Sequence, residues 1–160
     1  MISARTRRRR RHSRLNAAQS LATCVSVASS TPVAYLDSSA LVKLIAIEAE
    51  TAALRHELRR WPDRASSLLA TVEVTRTARR LGGRAPTVAF GVLAGLRLLA
   101  IEPIVPAAAA QIGGTTLRSL DAIHLATAAS ISRQLGALIT YDQRMITEAQ
   151  ALGLRVRSPA

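Results

Sequence analysis

The clearest pattern in the chain is an unbroken apolar run, Val33 to Leu36, which ends in Asp37 and passes directly into Ser39 to Ala46, where apolar residues recur at helical spacing. Four apolar or aromatic residues in a row suit a buried parallel strand, because both faces of such a strand are covered and the polar alternation disappears. The order strand, acid, helix returns later, with an apolar strand predicted from Ala137 up to Asp142 and a helix from Gln143 to Leu152. Between these two copies, Glu50 to Arg60 places Leu54 and Leu58 on one helical face and stops at Trp61-Pro62, since proline cannot continue a helix. Ala65 to Ala70 reads as a short strand. Thr71 to Arg80 reads as a helix with Thr71 as its cap, Glu73 in its first turn and Gly82-Gly83 as its stop. A further helix is predicted from Pro86 to Gly95 and a strand from Leu98 to Ile101. Pro106 to Ile112 and Ser119 to Ala129 read as two more helices, the second with Asp121 in its first turn and Leu120, Ile123 and Ala128 on its buried face. Leu154 to Val156 closes the chain as a short strand. Strands alternating with helices imply an α/β domain whose central, mostly parallel sheet is flanked by helices.

Composition narrows this picture. A chain of 160 residues allows one domain with a sizeable core. Apolar residues make up 49% but aromatics only 2%, so the core is built from Ala, Leu, Val and Ile. The single cysteine, Cys24, excludes an internal disulfide and a cysteine-based zinc cluster, which points to a reducing compartment and a cytoplasmic location. The apolar stretch from Gly91 to Ile101 is interrupted by Arg97, and no run reaches the length of a membrane span.

The net charge of +12 is unevenly spread. Residues 1–32 hold seven basic residues and no acid, and the remainder carries 15 basic against 10 acidic residues, a net +5. A basic body favours a polyanionic partner, because neutralising phosphates supplies most non-specific affinity for nucleic acid. Residues 1–32, with Arg7 to Arg11 and no helical or strand periodicity, read as a disordered basic tail or as sequence ahead of a translation start near Val33. A targeting signal is the third reading, though its apolar part is short and polar. Residues 33–160 are expected to hold the whole domain.

Four acids share a placement. Asp37 and Asp142 are predicted at strand ends, and Glu73 and Asp121 in first turns of helices, so all four can face one edge of the sheet. Capping and the helix dipole explain each acid singly. Their convergence is harder to explain that way, because clustered carboxylates repel and take up protons unless a cation compensates. Hard oxygen ligands select magnesium or manganese, which suits metal-assisted phosphodiester hydrolysis. His124, three residues after Asp121, reads as a packed or hydrogen-bonded histidine rather than a ligand.

The segments Tyr35 to Leu44, the Glu73 helix, Leu117 to Ala126 and Thr140 to Met145 together resemble PIN-domain ribonucleases, most closely the VapC-type toxins. The resemblance runs from about Val33 to Ser158. It implies a single PIN-like domain and a magnesium-dependent endoribonuclease, with manganese as a possible substitute. It also implies an RNA substrate, homodimerisation, no membrane association, and neutralisation by a cognate VapB-like antitoxin. Carried over residue by residue, it makes Asp37, Glu73, Asp121 and Asp142 catalytic, with Asp37 and Asp121 as metal ligands. Ser39 matches a position near the metal, and Arg118 a basic residue just before the third acid. Two rivals stand beside this reading. Phosphoryl-transfer domains also place an aspartate after a strand, but one group needs a second aspartate where Ser39 stands and another needs a late lysine, and Lys43 is the only lysine. A catalytically inactive PIN-like protein that binds RNA or a partner would gain nothing from four clustered acids near phosphates.

Overall fold

Val33–Leu36 forms strand β1, and all four of its residues are fully buried. Val33 and Tyr35 pack on one face of the sheet with Leu125, Leu138 and Met145, while Ala34 and Leu36 pack on the other with Leu41, Leu54, Val74 and Ile139. Two covered faces are the reason the strand has no polar position. The computed structural model describes residues 31–113 and 116–160, so the readings made on residues 1–30 lie outside the described residues.

From β1 the chain enters α1 (Ser38–Ile45) and α2 (Thr51–Leu58), then β2 (Arg64–Ser67), α3 (Leu69–Leu81), α4 (Ala85–Ala94) and β3 (Arg97–Leu99). It continues through α5 (Ile104–Ala109), α6 (Ser119–Ser130), β4 (Leu135–Ile139), α7 (Gln143–Ala151) and β5 (Val156–Arg157). The strands lie in the order β3-β2-β1-β4-β5, and every pairing is parallel. The predicted α/β class with a central parallel sheet is therefore the observed one. The chain first builds outward from β1 through β2 to β3 and then returns to add β4 and β5 on the opposite side. The reversal leaves a switch point between the carboxyl ends of β1 and β4, which is where ligands bind in open α/β sheets.

Several predicted elements shift for physical reasons. The strand predicted over Ala65 to Ala70 ends at Ser67, because α3 already begins at Leu69. Thr71 is therefore not the cap of α3, and Glu73 lies in its second turn rather than its first. The stop at Gly82 holds: its φ of 69° is a left-handed conformation open to glycine, and its N–H closes on Ala78 O. The strand expected to run up to Asp142 ends at Ile139, and Asp142 serves as the N-cap of α7. In α6 the buried residues are Ala122 and His124 to Ala128, whereas Leu120 is 46% exposed and Ile123 only half-buried. The small residues of α6 let it sit close on the sheet and on α5, and this turns the helix away from the periodicity set by its larger side chains. At Gly136, a Cβ would collide with the Trp61 ring, so the close approach of that indole requires glycine there.

Candidate active site

Asp37 sits at the carboxyl end of β1 and is 3% exposed. It caps α1: its Oδ1 accepts the Ala40 N–H at 3.0 Å, which satisfies one of the free amides of the first turn. The Ser39 hydroxyl lies 2.8 and 2.9 Å from the two carboxylate oxygens, and the Thr140 hydroxyl donates to Oδ2 at 2.9 Å. Burial pushes the Asp37 carboxyl up, and the Ala40 amide with the Ser39 and Thr140 hydroxyls works against that rise. Asp37 thus caps α1 and also stands at the carboxyl end of β1.

Glu73 reaches the same end of the sheet from α3. Its Oε2 accepts from the Ser38 hydroxyl at 2.5 Å and from His124 Nε2 at 2.8 Å. Partial burial acts to raise its carboxyl, but the His124 and Ser38 hydrogen bonds outweigh it and hold the group below the ordinary glutamate value. An ionised carboxylate only accepts, so Nε2 of His124 carries a proton. His124 Nδ1 lies 2.8 Å from the Tyr35 hydroxyl, which in turn accepts the Ser67 N–H at 3.1 Å. Burial raises Tyr35 far above the usual phenol range, so its hydroxyl stays protonated. Ser67, Tyr35, His124, Glu73 and Ser38 thus form one hydrogen-bonded chain. The expectation of a hydrogen-bonded histidine is met, and its partner is one of the four candidate acids.

Asp121 and Asp142 form the second group. Asp121 lies in the first turn of α6, and among the described residues its Oδ2 is buried without a hydrogen-bond partner. Burial raises the Asp121 carboxyl, the neighbouring Asp142 charge raises it further, and Arg118 opposes both. Asp142 accepts the Arg144 and Met145 N–H groups at 2.8 and 3.2 Å on the same oxygen. Those amides and the Arg144 guanidinium outweigh its burial and hold it below the ordinary aspartate value. Thr140 connects the two groups, because its Oγ1 also accepts the Asp142 N–H at 3.2 Å. Arg118 is the exposed N-cap residue of α6.

The structure thus bonds Asp37 to Ser39 and Thr140 and Glu73 to Ser38 and His124, while Asp121 and Asp142 act on each other only through their charges. Among the described residues, no three His, Cys, Asp or Glu side chains come close enough to form a ligand shell by themselves. Sequence reasoning missed Thr140 and the bonded roles of Ser38 and Tyr35. Thr140 had a signal, being a polar residue that directly follows an apolar strand, but hydroxyls near strand ends are too common to single out.

The sequence from residue 34 to 150 matches the family described as the PIN domain. The chain belongs to the PIN-domain family. Among curated relatives of this PIN domain, Ribonuclease VapC47 of Mycobacterium tuberculosis (strain CDC 1551 / Oshkosh) is 42% identical over 134 residues, covering 78% of this chain and 96% of the relative. Ribonuclease VapC46 of Mycobacterium tuberculosis (strain ATCC 25618 / H37Rv) is 45% identical over 126 residues, covering 79% and 97%. Of solved structures, a toxin-antitoxin complex from Klebsiella pneumoniae aligns with a TM-score of 0.61 at 23% identity, covering 79% of this chain and 98% of that one. The sarcin-ricin loop cleaving toxin VapC20 of Mycobacterium tuberculosis aligns with a TM-score of 0.60 at 17% identity, covering 76% and 95%. At that identity the two structures speak for the PIN fold alone. Among the described residues, no helix is long and apolar enough to cross a membrane.

Proposed function

We propose that this chain is a metal-dependent endoribonuclease and the toxin of a VapBC-like toxin–antitoxin pair. The observation that carries the proposal is Asp121 Oδ2, a buried carboxylate oxygen with no donor among the described residues, beside the charge of Asp142. An oxygen so placed has lost water and gained nothing in return, which a bound cation corrects. The donors around it are all hard oxygens, which suit magnesium or manganese over softer metals. Magnesium usually takes only one or two carboxylates and keeps several waters, so a shell of three protein acids is not required.

Asp121 and Asp37 are the ligands in this reading. Asp37 retains acceptor capacity for such a role. Ser39 has one proton to give, so its two short contacts to the Asp37 oxygens amount to one hydrogen bond and leave a lone pair open. When bound, the ion supplies charge neutralisation at the phosphodiester and acidifies a water for attack. Glu73 and Asp142, both held ionised, are acceptors that orient a water and add to the negative field that retains the cation. Ser39 and Thr140 keep Asp37 aimed, and the exposed Arg118 takes a substrate phosphate.

The names of the curated relatives support RNA as substrate. The toxin–antitoxin complexes among the solved neighbours support a VapB-like antitoxin as partner, and a homodimer and a cytoplasmic location belong to the same reading. Residues 33–160 hold the nuclease, with residues 1–32 outside it. Cleavage of single-stranded RNA by the purified protein, with and without magnesium, is the test. Cleavage is expected only with the ion, and is expected to be absent in Asp37→Asn and Asp121→Asn. RNA binding without magnesium-dependent cleavage would instead make the chain a binding protein on a PIN fold.

A further inference from the structure

The cleft beside Glu73 extends well past the acids. A cavity of about 860 Å³ opens between α1, α3 and the start of α6, and its wall continues from Glu73 to Arg76 and Arg80. These residues stand three and seven positions after Glu73 on α3, so all three share one helical face, spread over roughly 10 Å of axis. The same cavity is lined by Leu69, Val72 and Leu120, of which Val72 is 55% and Leu120 46% exposed. Large apolar side chains left open along a groove are a poor arrangement unless something lies on them.

The charges on this wall are not internally matched. Arg76, Arg79 and Arg80 surround a further hollow of about 290 Å³, and among the described residues none of the three is in an ion pair. Among the described residues, Arg80 makes only a bond to the Thr77 hydroxyl one turn back. The other acid on the wall, Glu48, is already paired with Lys43 at 2.6 Å. Free guanidinium forks on one helix face suit phosphate oxygens, which they can grip in pairs.

We propose that this groove is a substrate subsite for the nucleotides that flank the scissile bond, with Arg76 and Arg80 holding backbone phosphates and Leu69, Val72 and Leu120 receiving a base. The proposal rests on the ribonuclease reading and adds to it where the RNA runs. Continuity favours RNA over an acidic protein segment. Glu73 and Ser38 belong both to the acid cluster and to the groove, so a strand whose phosphodiester lies at the acids meets the arginines with its neighbouring phosphates. Stacking and phosphate contacts without base-edge hydrogen bonds would make this subsite tolerant of sequence.

The test compares wild type with the Arg76→Gln/Arg80→Gln double variant on a single-stranded RNA and on a dinucleotide, whose single phosphate lies at the acids and leaves none for the arginines. Both arginines are surface residues outside the acid cluster, and an unchanged melting temperature checks the fold. The expected result is a loss of roughly ten- to a hundredfold in kcat/KM on the long RNA, carried by KM, with the dinucleotide unaffected. The salt slope on the long RNA should shrink by about 1.4, at ~0.7 for each single-strand phosphate contact. Arg76→Lys/Arg80→Lys should recover part of the loss. Wild-type cleavage with unchanged long-RNA kinetics and salt slope in the double variant would overturn the subsite alone. If that variant instead escaped inhibition by the antitoxin with its RNA kinetics intact, the groove would be a protein-docking surface. A wild type that cleaves no RNA would bring down the ribonuclease reading, and this proposal with it.

Discussion

Thr140 Oγ1 donates to Asp37 Oδ2 at 2.9 Å, joining the ends of β4 and β1 across the switch point of the sheet. The same oxygen accepts the Asp142 N–H, so one fully buried hydroxyl sets the positions of two candidate acids 105 residues apart in sequence. Thr140→Val keeps the shape but leaves a buried carboxylate oxygen short of a donor and a backbone amide without its acceptor. It is expected to cost about 1–3 kcal/mol in urea denaturation and to lower RNA cleavage, while Thr140→Ser keeps both. Full activity in the valine variant would show that this hydroxyl does not aim Asp37.

Asp121 gives a contrast between folding and metal binding. Burial and the Asp142 charge hold its carboxyl above the ordinary value, so between the unfolded and folded pKa the folded state binds more protons. Stability without metal therefore falls as pH rises through that interval. Asp121→Asn removes this slope, and near pH 7 the metal-free variant should be at least as stable as wild type. Magnesium should raise the melting temperature of the wild type and leave that of the variant unchanged. A variant stabilised by magnesium as fully as wild type would remove Asp121 from the ligand set.

Glu57 shows the opposite sign, away from the site. Burial acts to raise its carboxyl, but the Trp61 indole N–H at 3.1 Å, Arg157 at 3.3 Å and Arg60 outweigh that effect and hold it low. Its folded pKa lies below the unfolded one, so its contribution is fully present above the unfolded value and is lost as pH falls through the folded value. Glu57→Gln should destabilise the protein at neutral pH, with the difference from wild type closing on acidification. Denaturation midpoints across that range measure it, and a constant difference would mean the effect is packing rather than charge.

The parallel sheet was legible because β1 and β4 are apolar on both faces, and that signal survives without knowledge of neighbours. Placement of the acids was legible only to within a turn. The cap-like Thr71 predicts Glu73 in a first turn, whereas α3 starts at Leu69 without any side-chain cap. Helical spacing predicts Leu120 in the core, but tight packing of the small residues of α6 turns it outward into the groove. The chain from Tyr35 through His124 to Glu73 was not legible at all, since it joins three elements whose proximity depends on strand order. Local pattern carries no information about which strand lies beside β1.

Residues 1–30 give the last prediction. β1 makes its pairings with β2 and β4, and the side-chain hydrogen bonds of Asp37, Glu73 and Asp142 in the described residues come from residue 38 onward. Thr31–Ala160 is one compact unit by itself. A chain shortened to residues 31–160 is therefore expected to melt at the same temperature and to cleave saturating RNA at the same rate. The removed segment carries seven arginines and no acid, so the full-length protein should bind RNA more tightly at low salt. That advantage should shrink as salt rises, because it comes from released counterions. Loss of cleavage at saturating RNA in a folded, shortened chain would show that the segment belongs to the catalytic domain.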